Sequence, residues 1–180
     1  DTVSANVNGG TINATNVDIQ ATNDVKNRIL TGTFNAGGVA VGLQTIVIMM
    51  NSLIEATVNH VNANALVVRA TGIEDLNNIT AIGGSAGGVA IAGSAVVVIL
   101  NNIISAKINA NANVRANTVT IEADDTIIIG TNAGSAGIGA IGAGAAVNVL
   151  LIKSTVNAVV GNNAIVTGIE GGYASSVKIL

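Results

Sequence analysis

Internal repetition is the feature that most constrains how this 180-residue chain can fold. Residues 36–41 recur as residues 86–91, 50 positions later, and a looser third copy begins at Gly139. A second motif has three clear copies and a degenerate fourth copy with an insertion, at residues 12–21, 61–70, 114–123 and 166–179. Repeats of this length are typical of proteins that stack one structural unit on the next.

The repeats divide the chain without leaving room for a second kind of domain. We predict a single segment over residues 1–180, with a partial repeat followed by three longer ones, at residues 1–35, 36–85, 86–135 and 136–180. The chain begins with Asp1 and enters patterned sequence at once. We therefore expect it to be a piece of a longer repetitive protein.

Alternation of apolar and polar residues predicts strands within the second motif. Val119, Ile121 and Ala123 alternate with Thr120 and Glu122. A period of two places successive side chains on opposite faces of a half-buried strand. Asparagine and glycine separate such segments, and both accept turn conformations that other residues avoid.

These patterns predict an all-β fold, a parallel β-helix (β-solenoid). Each 50-residue repeat has room for five or six short strands, so we expect two coils of about 25 residues per repeat and about seven coils in all. The chain has one Phe, one Tyr and no Trp, which suits a narrow core of small and branched aliphatic residues. It also has no Pro, as expected where nearly every backbone N–H joins a ladder.

Two strongly apolar runs, residues 45–50 and 95–100, are predicted to be strands buried on both faces. A membrane-associated apolar repeat protein is the alternative interpretation. The runs are short for a membrane helix of about 20 residues. They also lack an aromatic belt and flanking clusters of Lys and Arg.

One stretch of the sequence resembles a known family. Residues 142–158, GAGAAVNVLLIKSTVNA, followed by GNNA at residues 161–164, are similar to the repeats of filamentous-haemagglutinin-like adhesins, including the large fusobacterial leukotoxin type. The resemblance covers most of residues 36–180, although residues 54–56 and 104–106 depart from the Ile-Lys-Ser found at 152–154. It implies a right-handed β-helix, secreted or anchored at the bacterial outer membrane, that mediates adhesion or, in some members, toxicity.

The inventory of reactive side chains argues against an enzyme. There is no Cys, and His60 is the only histidine, so a triad or a zinc site would depend on it alone. Asp124-Asp125 and Glu74-Asp75 are interpreted as solvated turns, because the glycine-rich calcium repeat is absent. We predict no catalytic, cofactor-binding or metal-binding residue and no cofactor. A net charge of −3 with no basic stripe predicts no nucleic-acid partner.

Asparagines at matched repeat positions are the remaining candidates for a structural role. Asn51 matches Asn101, and Asn59 matches Asn109. With two coils per repeat, these residues would lie two coils apart. If the intervening coil also carries asparagine there, the amides would form a hydrogen-bonded ladder; plain turn residues are the alternative.

The function predicted from the sequence is that of a structural or adhesive β-solenoid segment of a secreted or surface-anchored bacterial filamentous adhesin. A subunit of a self-assembling extracellular filament is the first alternative and a membrane-associated repeat protein the second. The expected partners are neighbouring solenoid coils or like chains stacked end to end, with a host cell-surface protein or glycan as a further candidate.

Overall fold

The computed structural model describes residues 1–170 and 172–180. The fold is all-β, with 89% of the residues in strands of one open parallel sheet and no helix among the described residues. The five strands are β1 (Thr2–Val7), β2 (Ile12–Lys26), β3 (Ile29–Val160), β4 (Ile165–Thr167) and β5 (Ser176–Ile179). Strand β3 is the continuous central path against which all the others pair.

The register of the sheet follows the sequence repeat. In β1, Ala5 pairs with Ala56, and in β2, Ile12 pairs with Val61, so partners lie about one repeat apart. All the pairings of β1, β2, β4 and β5 with β3 are parallel. This arrangement is consistent with a β-solenoid.

The predicted division of each repeat into two stacked coils is not what the register shows. A strand pairs with the segment a whole repeat away, not with one 25 residues away. Segments of the same repeat also contact each other: Gln44 Nε2 donates to Thr31 Oγ1 at 2.8 Å, and Thr33 Oγ1 donates to the carbonyl of Leu43 at 3.1 Å. The path therefore turns back on itself within a repeat. We call one such repeat a rung, and the two long segments of it that face each other its walls. The expected count of about seven coils is not confirmed.

The degenerate last repeat pairs as its sequence predicts. Val166 lies beside Val114, and Ile179 lies beside Ile121. The partner distance along the chain grows from 52 positions at β4 to 58 at β5, because extra residues lie between them. The insertion carries Tyr173, which is 97% exposed; Gly171 lies outside the described residues.

Two aliphatic clusters fill the space between the walls. The larger, here called the aliphatic cluster, consists of inward-facing residues from successive rungs, among them Ile54, Leu66, Val68, Ile104, Ile108 and Ile121. The smaller cluster contains Ile46, Ile48, Leu76, Ile79, Ala81, Val96, Val98 and Leu100. Because identical or similar aliphatics recur at each rung, small branched side chains close the core without aromatic rings.

Beyond the smaller cluster the walls approach each other through glycine and alanine. This region, the glycine arm, comprises residues 36–42, 83–93 and 135–144. A Cβ added to Gly87 would overlap the carbonyl oxygen of Gly37, one repeat earlier, and a Cβ on Gly83 would overlap that of Gly93 across the arm. The arm therefore depends on backbone contact where other parts of the core depend on side chains.

The two runs predicted to be buried on both faces differ from that prediction. In residues 95–100, Val96, Val98 and Leu100 are buried while the residues between them are half-buried. In residues 45–50, Val47 and Met49 are exposed. The outer face of these strands has no second layer over it among the described residues, so period-two alternation persists even where both faces are apolar.

Candidate functional site

Polar columns join successive rungs of the stack. Asn109 Nδ2 donates to Asn59 Oδ1 at 2.7 Å, and Asn59 Nδ2 donates in turn to the carbonyl oxygen of Asn8 at 3.0 Å. These residues follow one another at about one repeat, so the amides are direct neighbours and no intervening coil separates them. An amide carries both donors and acceptors, and it can therefore bond to the rung on each side.

The other predicted asparagine pair behaves differently. Asn51 and Asn101 both line a shallow groove near Ser52 and Leu53. Within the described part of the chain they form no side-chain hydrogen bond with each other. The carbonyl oxygen of Asn51 instead accepts a bond of 2.6 Å from the amino terminus of Asp1.

Sequence reasoning missed three further asparagine pairs between rungs. Their donor-to-acceptor distances are 3.3, 3.0 and 3.5 Å, for Asn62 with Asn13, Asn117 with Asn64 and Asn163 with Asn111. The alignment of the second motif already placed Asn13 above Asn62, so the signal was present. The same alignment matched Asn64 with Asn117, and only the pair of Asn111 with Asn163 lies outside the aligned copies.

Charged side chains form a second set of contacts between rungs. Arg69 contacts Glu122 at 2.9 Å, Lys107 contacts Glu55 at 3.3 Å, and Arg28 contacts Asp75 at 3.4 Å. These ion pairs are partly solvated, and such pairs contribute only about 0–1 kcal/mol each. They fix register more than they add stability.

Two corners of the path use left-handed backbone. At one corner, Asn111 and Asn163 have φ of 58°, and Gly10 has φ of 75° at the corresponding end of the first rung. At the other corner, Asn78 has φ of 66°. Asparagine and glycine are the residues that accept this conformation at low cost. The prediction that these residue types mark turns is confirmed at these positions.

A polar layer separates the two aliphatic clusters. The side chains of Glu74 and Asn102 are fully buried, and Ser52 is 4% exposed. Asn102 Nδ2 reaches both oxygens of Asp125, at 3.4 and 3.3 Å, and Ser154 Oγ donates to the same carboxylate. The prediction that Glu74 belongs to a solvated turn is wrong, because the alternation that buries Val68 and Ala70 continues inward to residue 74.

Burial makes the Glu74 carboxyl group of this layer harder to ionise. It raises the pKa of Glu74 from 4.5 to about 7, the adjacent Asp125 carboxyl adds to the increase, and the Asn102 amide opposes it. Neither Glu74 oxygen has a hydrogen bond of normal geometry. A buried carboxyl group with this environment holds its proton more strongly than one in water.

The remaining residues that could take part in catalysis or metal binding lie apart from one another. His60 is half-buried in a shallow depression with Thr11, Asn62 and Arg115. Across residues 1–170 and 172–180, no group of three or more His, Cys, Asp or Glu side chains is placed to hold a metal ion. Within the same residues, no helix is long and apolar enough to cross a membrane.

An exposed strand edge is a further feature that could contact a partner. Every residue from 141 to 157 is exposed, although this stretch repeats strands that are buried one rung earlier. Leu150 is 43% exposed and Ile152 is 49% exposed, whereas Val98 and Leu100, 52 positions earlier, are covered almost completely. The difference arises because another rung covers Val98 and Leu100, whereas no rung among the described residues covers Leu150 and Ile152.

The fold and these features define a class: an all-β repeat protein with parallel strands stacked one repeat apart. Comparison with protein-family models, with curated proteins and with solved structures gives no match to this chain.

Proposed function

We propose that this chain is a structural and adhesive β-solenoid segment of an extracellular bacterial fibre. The supporting observation is the uncovered rung at residues 141–157, which presents an apolar strand face and an open backbone edge. An open parallel edge is a template for another strand of the same register. The next rung of a solenoid, whether from the same polypeptide or from a like chain stacked end to end, has the required register.

The solenoid proposed here has one 50-residue repeat per coil and a right-handed path. The pairing of strands one repeat apart supports the coil length. Crossover connections between parallel strands of one sheet are right-handed in about 98% of cases, because of the intrinsic twist of the strands. The chain then holds about three and a half coils.

The external location and the adhesive role rest on the resemblance of residues 142–158 to filamentous-haemagglutinin-like repeats. A stack held together by asparagine pairs and aliphatic rungs forms a rod, which suits a stalk that carries a contact surface away from the cell. We propose that a host protein or glycan meets its flank. The proposal assigns no catalytic residue.

A self-assembling filament is the second candidate function, favoured by a groove on the flank. Leu30, Phe34, Ile82 and Ile138 are exposed together across three successive rungs and line a groove of about 560 Å³. Contiguous exposed apolar surface of this kind marks contact sites. Lateral association of rods through this groove would cover it.

Sedimentation of the purified chain at increasing concentration tests the end-to-end proposal. We expect rods that form in a concentration-dependent way. Leu150→Lys should reduce their assembly, because alternation points residue 150 into the core, where the next rung would cover it. Leu151→Lys is the matched control, since the adjacent leucine belongs to the outer face. A folded wild-type chain that stays monomeric at high concentration, or equal effects of the two substitutions, would contradict the proposal.

The substitution Phe34→Ser distinguishes end-to-end stacking from lateral assembly of a filament. It should leave end-to-end rods intact and reduce only their lateral association. Binding of coated beads to epithelial cells, compared with beads that carry an unrelated β-rich protein, tests the adhesive role. Equal binding of both kinds of bead would count against adhesion and would leave the stalk role to the sedimentation experiment.

A further inference from the structure

The polar layer between the two aliphatic clusters contains oxygen atoms that the protein itself leaves without partners. Both carboxylate oxygens of Glu74, the amide oxygen of Asn102 and the hydroxyl of Ser52 are buried and form no hydrogen bond. Native proteins pair almost all of their buried polar atoms. Several unpaired oxygen atoms in this layer, contributed by two successive rungs, therefore require an explanation.

Asp125 reaches this layer through the place of a missing side chain. Gly72 faces inward in the same strand as Glu74, and Asp125 Oδ1 lies only 2.8 Å from the point where a Cβ would stand on Gly72. The Asp125 carboxylate thus fills the place of the absent side chain, two residues along the strand from Glu74. Asn102 lies opposite and directs its amide group to Asp125.

The charge of the polar layer is also unbalanced. Among the described residues, the outward-facing acids Glu55, Asp75 and Glu122 each contact a Lys or Arg side chain, whereas no such contact reaches Glu74 or Asp125. A fully buried and a half-buried carboxyl group side by side, without a positive side chain, are costly. A proton can neutralise one of them, and a bound cation can neutralise both.

We propose that Glu74, Asp125 and Asn102 form an internal binding site for a calcium ion within the solenoid. Carboxylate and amide oxygens are the ligands that calcium prefers, and its coordination tolerates irregular geometry better than that of magnesium. The Ser52 and Ser154 hydroxyls are near enough to the layer to complete the ligand set. Asp125 is half-buried and Ser154 exposed, so the ion reaches the site from the uncovered rung.

The independent indication of a ligand is Asn102. It is not acidic, it is fully buried, and its Nδ2 already bonds to Asp125 while its Oδ1 has no partner. In a plain proton-sharing pair of carboxyl groups this oxygen would remain unsatisfied. Turning the Asn102 amide by 180° brings Oδ1 toward Asp125, and a cation between the three side chains would then satisfy this oxygen together with Glu74.

Thermal unfolding of the whole chain with added calcium chloride tests the site. Calcium at roughly ten to a hundred times its Kd should raise the Tm by about 3–10 °C, with magnesium chloride giving a smaller shift. Isothermal titration calorimetry should show about one calcium per chain. Glu74→Gln keeps the shape and removes one charge, and both it and Asp125→Asn should lose the shift.

Asp124→Asn is the matched control, because Asp124 is exposed beside the site and should leave the calcium response unchanged. If Glu74→Gln does not fold, Asp125→Asn gives the same comparison from the half-buried side. No calcium-dependent shift in the wild-type chain would overturn the proposal, as would an equal shift in the wild type and in a folded Glu74→Gln or Asp125→Asn variant. A Tm that depends on pH but not on calcium would show a proton-sharing pair and would equally contradict it.

Discussion

The aliphatic cluster and the glycine arm close the same rung by opposite means. In the aliphatic cluster, side chains such as Ile54 and Ile104 are fully buried and fill the space between the walls. In the glycine arm, Gly87 and its neighbours leave no room for side chains, and the backbones meet directly. The contrast shows that one stacking rule, like on like at each repeat, supports both a wide core and a thin one.

The largest effect is expected where backbone meets backbone. Gly87→Val in the arm should destabilise the chain by about 4 kcal/mol or more, because even a Cβ would overlap the Gly37 carbonyl and only backbone movement could relieve it. Gly38→Val is the control, since nothing lies within 4 Å of a Cβ at that position. Chemical denaturation measures both, and equal losses would show that the arm is not closely packed.

The next effect tests the aliphatic cluster. Ile104→Ala should lower the free energy of unfolding by about 2–5 kcal/mol, because it leaves a cavity among residues that cannot collapse around it. Ile103, its neighbour on the outer face, is 41% exposed. Ile103→Ala should cost well under half as much in the same denaturation experiment. Similar costs for the two would contradict the assignment of inner and outer faces.

Glu74 lies at the boundary between the two aliphatic clusters and should make stability depend on pH. Its pKa in the folded chain, about 7, is above the ordinary value of 4.5, so the folded chain holds the proton over an interval in which the unfolded chain has lost it. The free energy of unfolding should therefore fall as pH rises from 4.5 to about 7 and level off above, by at most about 1.4 kcal/mol per pH unit.

Denaturant titrations of the wild type and of Glu74→Gln across this range, without calcium, measure the slope. The substitution should flatten it, whereas Asp124→Asn, at an exposed position, should not. An unchanged slope in Glu74→Gln would place the pH dependence elsewhere in the chain.

The smallest effect concerns the asparagine columns outside both regions. Asn109→Ala should cost about 0.5–1.5 kcal/mol, because it removes the bond to Asn59 and leaves that half-buried amide to water. Asn113→Ala, at an exposed position nearby, should change the denaturation midpoint little. A larger loss at Asn113 than at Asn109 would show that the column does not support the stack.

The sequence predicted the strands and their partners well where the repeat was regular. The match of residues 12–21 with 61–70 is the pairing of Ile12 with Val61, and the all-β character followed from alternation. The error in coil length came from counting strands and assuming a compact coil. Nothing in the sequence matched at an offset of 25, and the contacts between facing walls, such as Thr31 with Gln44, have no repeat signature.

The polar layer was predictable in part. Alternation through Val68, Ala70 and Gly72 points Glu74 inward, but the adjacent acids Glu74 and Asp75 equally suit a solvated turn, so the pattern alone does not decide between the two. The space above Gly72 that receives Asp125 depends on the three-dimensional offset of two rungs. The repeat varies by several residues along the chain, so the sequence alone does not determine that offset.

The central claim is that one rung of the stack comprises one whole 50-residue repeat, and paired cysteines test it directly because the chain has none of its own. Asn13 and Asn62 are paired neighbours in the sheet, so Asn13→Cys with Asn62→Cys should form a disulfide on mild oxidation. Asn13→Cys with Gly38→Cys, 25 positions apart, should remain reduced. Mass spectrometry of the oxidised chain reads the result. A disulfide in the second pair but not the first would contradict the account and restore a coil of half the length.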